Sequence, residues 1–236
     1  MDTSALQLES RFSYAPNSLG YCGRSSANIK FRRCILKGNC EGVEEEITHF
    51  IVLYPYLKTM AAISGLSPFS HEVIESFWLG NDLLKKVKSA DYNLLLNNFL
   101  EQNVPEWLVN ELREKKPKAF IPTHLFQVLH VGVGRASGAV PFNLETINNC
   151  MIRWGTVESV ETKTKRAHVK VSSLKKGVGR YSLQQTEEVV PFDPRFVLGL
   201  AKGSKVCVHW NWVAKILTAP EEARLKFWTD KVLEYF

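Results

Sequence analysis

Two periods divide the chain. Between about residues 41 and 116, apolar positions recur at helical spacings. "EEEITHFIVLYPYLKTMAAIS" (44–64) opens on three glutamates, which favour the positive end of a helix dipole, and Pro55 kinks or restarts it. Ser70 is placed to cap "HEVIESFWLG", whose Val73, Ile74, Phe77 and Trp78 form a buried face. Gly80-Asn81 reads as a stop and "DLLKKVK" as a short restart. "DYNLLLNNFLEQ" (91–102) and "PEWLVNELREKK" (105–116) predict two more helices, the second with Pro105 in its first turn. "FIPTHLFQVLHVGVGRASGAVPF" (120–142) breaks the pattern with glycines and β-branched residues and predicts a strand and a loop. Residues 142–149 predict a short helical link.

From Cys150 the period becomes two. "WGTVESVE", "KRAHVKVSSL" and "YSLQQTEEVVPF" predict strands. In "KVCVHWNWV" the residues Val206, Val208, Trp210 and Trp212 face one way, and Cys207, His209 and Asn211 the other. Short strands with no helix between them predict a small closed or half-closed, OB-like β-barrel. "APEEARLKFWTDKVLEYF" then predicts a terminal helix with Leu225, Trp228 and Val232 on its apolar stripe. The expected class is therefore α+β: an α-rich N-terminal domain, residues 1–149, then a barrel domain with a C-terminal helix, residues 150–236. At that size the second domain barely sustains its own core, so it is expected to pack on the first.

Charge follows the same division. Residues 1–149 carry 15 Lys+Arg and 15 Asp+Glu, whereas residues 150–236 carry 15 and 9, so the whole excess of +6 lies in the last third. Such a half suits nucleic acid, an acidic protein or an anionic ligand. No apolar run reaches the roughly 18 residues that a membrane helix needs, and "MDTSALQLESRF" is not a secretory signal, so the cytoplasm is the expected compartment. The cysteines, Cys22, Cys34, Cys40, Cys150 and Cys207, are odd in number and irregularly spaced, which predicts reduced thiols.

The chemistry gathers on a few of them. Cys150 opens the first expected strand and His209 lies on the last long one. First and last strands of a small barrel often meet, so a thiol and an imidazole are expected to converge, as a metal site or as a nucleophile pair. Cys207, two residues from His209 on the same face, is a further candidate ligand. So is Cys22, in the crowded "RFSYAPNSLGYCG" (11–23) that precedes any expected helix. "HLFQVLHVGVG" offers His124 and His130, with a core role expected for His130. There is no GxGxxG leading into a helix, no P-loop, and no carboxylate pair on a readable face.

Two resemblances follow from these motifs. Cys150-Met-Ile-Arg-Trp-Gly155-Thr-Val157, together with the segment from Lys202 to Leu217 and the helix after it, resembles the HypC/HupF family of [NiFe]-hydrogenase maturation chaperones. The chain departs from that family by placing 149 residues before the cysteine, and has Trp154 and Asn211 where the family has Pro and Gly. The resemblance implies a HypC-like metallochaperone that holds or delivers iron with its cyanide and carbonyl ligands. Cys150 would be a ligand and His209 a second ligand or a hydrogen-bonding group. Its implied partners are a HypD-like maturation protein and the hydrogenase large subunit, and it implies an assembly chaperone rather than an enzyme. The whole chain also resembles an uncharacterised bacterial family with a Tyr-x-Pro-Asn-x-Leu-Gly-Tyr-Cys-Gly segment, a "WLGN" stretch and a C-terminal "HWxWV". Two readings from other classes stand beside these: a nucleic-acid-binding barrel using Trp154 or Trp210, which the alternation argues against, and a Cys-dependent enzyme acting on the cofactor precursor through Cys22 or Cys150.

Overall fold

The computed structural model describes residues 2–236. Its helical part runs α1 (Thr3–Ser18), α2 (Ala27–Lys37), α3 (Val43–Ile47), α4 (Leu53–Ser64), α5 (His71–Trp78), α6 (Tyr92–Glu101), α7 (Glu106–Glu114), α8 (His124–Phe126) and α9 (Leu144–Cys150). Strands β1 (Arg153–Glu161), β2 (Arg166–Lys176), β3 (Tyr181–Pro191), β4 (Lys205–His209) and β5 (Trp212–Ile216) follow, and α10 (Ala219–Leu233) comes last. The α+β class expected from the two periods is the one the chain adopts. Among the described residues no helix is long and apolar enough to cross a membrane.

Helices begin earlier than the periodicity predicts. The stretch 11–23 does not precede all helices, because α1 runs through it to Ser18. Asp2 caps α1, its carboxylate accepting from the N–H groups of Ser4 and Ala5. Pro16 sits in the last turn, where a missing N–H is tolerated more easily than in the middle. The expected strand after Phe120 is instead α8, continued by a wide π-type turn over Gln127–Gly132. Valine and glycine there do not extend the chain because Val128, Leu129 and Val131 are buried in the main core.

Two cysteines also depart from expectation. Cys34 and Cys40 form a disulfide, where reduced thiols were predicted. Gly38 ends α2 at φ 66°, and this left-handed residue turns the chain back so that the two Cα atoms lie 4.3 Å apart.

The sheet is antiparallel in the order β3-β2-β1-β4-β5, and it is open; of the closed or half-closed barrel expected, the closed form is overturned. β4 and β5 have five residues each against eleven in β2 and β3, too few to carry a ladder round to β3. Arg153 bridges the two ends instead. Its guanidinium donates to Glu188 on β3 at 2.5 Å, to Ser173 at 3.1 Å and to Asn211, beyond β4, at 3.4 Å. "KVCVHWNWV" is likewise not one strand. Trp210 and Asn211 have φ 49° and 53° and make the two-residue turn between β4 and β5, the conformation that matches the twist of an antiparallel pair.

One face of the sheet closes over a small core of its own, with Val157, Val169, Val171, Val206, Val208 and Val213. The other face joins the helices. Met151, Ile152, Trp154, Leu174, Cys207 and Trp210 lie in the same apolar cluster as Phe12, Phe77 and Phe126. α10 returns to the helices through Leu225 and Val232, begun by a Thr218–Glu221 capping box.

Candidate functional site

The helices and the sheet enclose a cavity of about 350 Å³ between them. Cys150, His124 and His209 stand at its buried end. Its walls reach two loops at the surface, through the partly exposed Tyr21 and Cys22 in one and Ala136 with the exposed Ser137 and Ala139 in the other. One ligand atom from each of His124, Cys150 and His209 lies within 4.8 Å of the others.

Each of the three is placed by a local backbone feature. Pro16 has no N–H, so the carbonyl of Phe12, four residues earlier in α1, lacks its usual helical donor. His209 fills the vacancy: its Nδ1–H donates to Phe12 O at 2.8 Å. That bond leaves Nε2 as the lone-pair nitrogen, buried and with no partner among the described residues. Cys150 is the last residue of α9 and does not open β1. Its carbonyl is therefore one that the helix leaves unbonded, and His124 Nε2 meets it at 2.8 Å. The preceding carbonyl, of Asn149, accepts from Trp210 N–H at 2.6 Å. These two bonds dock the end of α9 on α8 and on the β4–β5 turn. His124 Nε2 is also 3.7 Å from Cys150 Sγ, and His124 Nδ1 has no partner.

Trp78 spaces the two imidazoles. Its ring centroid lies 4.5 Å from that of His124 and 5.7 Å from that of His209, and its N–H donates to Glu9 at 2.7 Å. Glu9 is fully buried and also accepts from Ser13 Oγ at 2.6 Å.

Burial sets the protonation of the site. It pulls His124 down to about 4, against the opposing pull of the Cys150 carbonyl. It pulls His209 well below the ordinary imidazole range, helped by the neighbouring His124. It pushes the Cys150 thiol well up, with Cys22 adding to the rise and the Trp210 indole opposing it. The resting site is thus a neutral thiol beside neutral imidazoles. A thiol in that state is a poor nucleophile, which weakens the Cys-dependent enzyme reading. Neutral imidazole is the form that binds a metal, and a metal can displace the thiol proton.

The candidate residues fall into two groups. Cys150 and His209 come together, and Cys22 lines the same cavity. Cys22 is partly exposed, yet the packing around its sulfur pushes its thiol up to about 12. Its loop is held by Asn17, whose amide donates to the carbonyls of Cys22 at 2.7 Å and Arg24 at 2.9 Å. Cys207 lies opposite Val206 and Val208, as alternation predicts, on the helix-facing side that Trp210 also joins, but it does not line the cavity; its thiol points to Lys215 O at 3.6 Å. His130 bonds Tyr92 at 2.8 Å away from the cavity wall. His124 is the residue of the cluster that pattern alone did not assign to the site. The available signal was its place in a stretch whose glycines and polar residues did not fit a plain core helix.

Of the cations in the last third, Arg153 is near enough to act on His209, lowering it further, but none lines the cavity. No Lys, Arg, Asp or Glu lines the cavity, so its walls offer no fixed counter-charge to an anion. Trp154 and Trp210, which a nucleic-acid surface would need exposed, are both buried.

The chain matches a family of unknown function (DUF6390) over residues 1–236, and it belongs to that family. No curated protein and no solved structure matches it.

Proposed function

We propose that this member of a family of unknown function is a HypC-like metallochaperone or scaffold of [NiFe]-hydrogenase maturation, which holds or delivers iron with cyanide and carbonyl ligands. The iron fragment is cargo, received from and passed to protein partners. A HypD-like protein and the hydrogenase large subunit are the partners that the resemblance implies. One observation carries the reading: Cys150 and His209, 59 positions apart, meet at the buried end of a cavity with an imidazole nitrogen left unpartnered. The donors fit such cargo. A soft thiolate and a borderline imidazole suit iron, and the remaining volume leaves room for small diatomic ligands.

The chain's own residues have definable tasks. Phe12 O holds His209 in the tautomer that offers Nε2. The end of α9 holds Cys150 against His124. Apolar walls, including Val128, Val133, Phe50 and Trp210, exclude water from the cargo. Cys150 carries its proton until a metal replaces it.

The test is co-expression with a HypD-like partner and anaerobic purification. Wild-type protein should carry iron with cyanide and carbonyl infrared bands, and Cys150→Ala should lose both. Iron-free wild-type protein, with Cys150→Ala indistinguishable from it, would sink the proposal.

A further inference from the structure

We infer that His124, from the helical part of the chain, is a third metal donor, so that His124, Cys150 and His209 form a His2Cys site that takes a bare divalent ion such as zinc or cobalt. The inference uses the site of the preceding reading but needs neither iron nor hydrogenase. It concerns what this chain binds alone, without a partner protein.

Geometry supports it first. Zinc–sulfur and zinc–imidazole bonds of about 2.3 and 2.0–2.1 Å at a tetrahedral angle place sulfur and nitrogen about 3.5–3.6 Å apart. One ligand atom from each of His124, Cys150 and His209 already lies within 4.8 Å of the others. A contraction of about an ångström, spread over three side chains, closes the set round one ion. Three protein donors leave a fourth position for a small ligand.

Hydrogen bonding supports it independently. Among the described residues, His124 Nδ1 and His209 Nε2 are both buried without a partner, a state that disfavours the folded chain unless something fills it. Each ring gives its other nitrogen to a backbone carbonyl, Cys150 O and Phe12 O respectively. Metal-binding histidines typically use their second nitrogen in this way. Two such rings, both in contact with Trp78 and converging on one thiol, are hard to explain as packing alone.

Charge supports the choice of ion. When a divalent ion enters, the Cys150 S–H bond breaks, the proton goes to solvent, and a metal–sulfur bond forms. The site then carries a net charge of about +1. Arg153 acts on His209 from outside the cavity, and among the described residues no Lys or Arg lines it.

Purified full-length chain, kept reduced and oxygen-free, is titrated with cobalt(II) and then with zinc(II). Expected are one ion per chain, a thiolate-to-cobalt charge-transfer band, ligand-field bands of a four-coordinate ion, and loss of both on adding zinc. X-ray absorption of the zinc form should show two imidazoles and one sulfur. This measurement needs no variant and so does not depend on whether a substituted cavity folds. His124→Gln, checked for folding by circular dichroism, should weaken cobalt binding by more than the roughly 10–100-fold that loss of an outer hydrogen-bonding group produces. One imidazole with one sulfur, no cobalt binding, or wild-type affinity in His124→Gln would each overturn the inference. Cobalt binding in a protein that never shows cyanide or carbonyl bands would uphold it while the iron reading fails. Those bands in a protein without a second imidazole at the metal would do the reverse.

Discussion

Glu9 shows how much one buried residue can shape the titration of the whole fold. No part of it reaches solvent, and desolvation lifts its carboxyl from 4.5 to about 7, against the bonds from Ser13 and Trp78. The folded chain therefore holds a proton that the unfolded chain releases near 4.5. Its contribution is fully present below that value and is lost as pH rises through about 7, a difference on the order of 3 kcal/mol. A glutamine fits the same two partners, accepting from Trp78 and donating to Ser13 Oγ. Glu9→Gln should therefore be more stable than wild type at pH 8, and the gap should shrink steadily toward pH 5. Urea unfolding across that range checks it; parallel pH curves for the two proteins would refute it. Pro16 acts at the same scale. Its identity was legible in "YAPNSLGYCG", but its effect was not, because the freed Phe12 carbonyl means something only once His209 is beside it.

At the scale of elements, "WLGN" is a junction. Trp78 bonds Glu9 in α1, Asn81 bonds Glu72 O and Glu75 in α5, and Gly80 lies under Trp228 of α10. Gly80 has φ 77°, and a Cβ there would meet the Trp228 ring at 2.2 Å. Gly80→Ala combines left-handed strain of about 1–2 kcal/mol with overpacking of about 1–3 kcal/mol. It should destabilise the protein by about 2–5 kcal/mol and shift the Trp228 emission, read from fluorescence-detected unfolding; an unchanged midpoint would show that α10 moves aside freely. Reading the elements from sequence succeeded where a period was sustained, as in α5, α6, α7, α10 and strands β1 to β3, but it took β4 and β5 as one strand. It missed α1 and α2, whose turn-forming residues 16–26 mask the helices on either side, and it read α8 as a strand because valine and glycine there serve the core rather than the backbone.

Over the whole molecule, the site exists only where the two periods meet. The sheet presents Met151, Ile152, Trp154, Leu174, Cys207 and Trp210 to the helical core. A fragment of residues 150–236 would expose that face to water, with only the smaller valine-rich core left to hold it. Expressed alone it should be poorly soluble or molten, binding a hydrophobic dye and lacking dispersed amide resonances. A well-dispersed spectrum would show instead that the sheet and α10 fold independently.

The linear sequence by itself determined the α+β class, the change of period near residue 150, most of the later elements, and two residues of the buried cluster, Cys150 and His209. These depend on spacing and on short motifs, which are local properties of the chain. Tertiary structure alone decided that the sheet stays open, that Cys34 pairs with Cys40, that the cationic excess stays off the cavity wall, and that His124 joins the site. The physical reason is the same in each case. A ladder, a disulfide, a local field and a ligand set are made by residues distant in sequence or turned back on one another, and their distances are set by packing rather than by order along the chain.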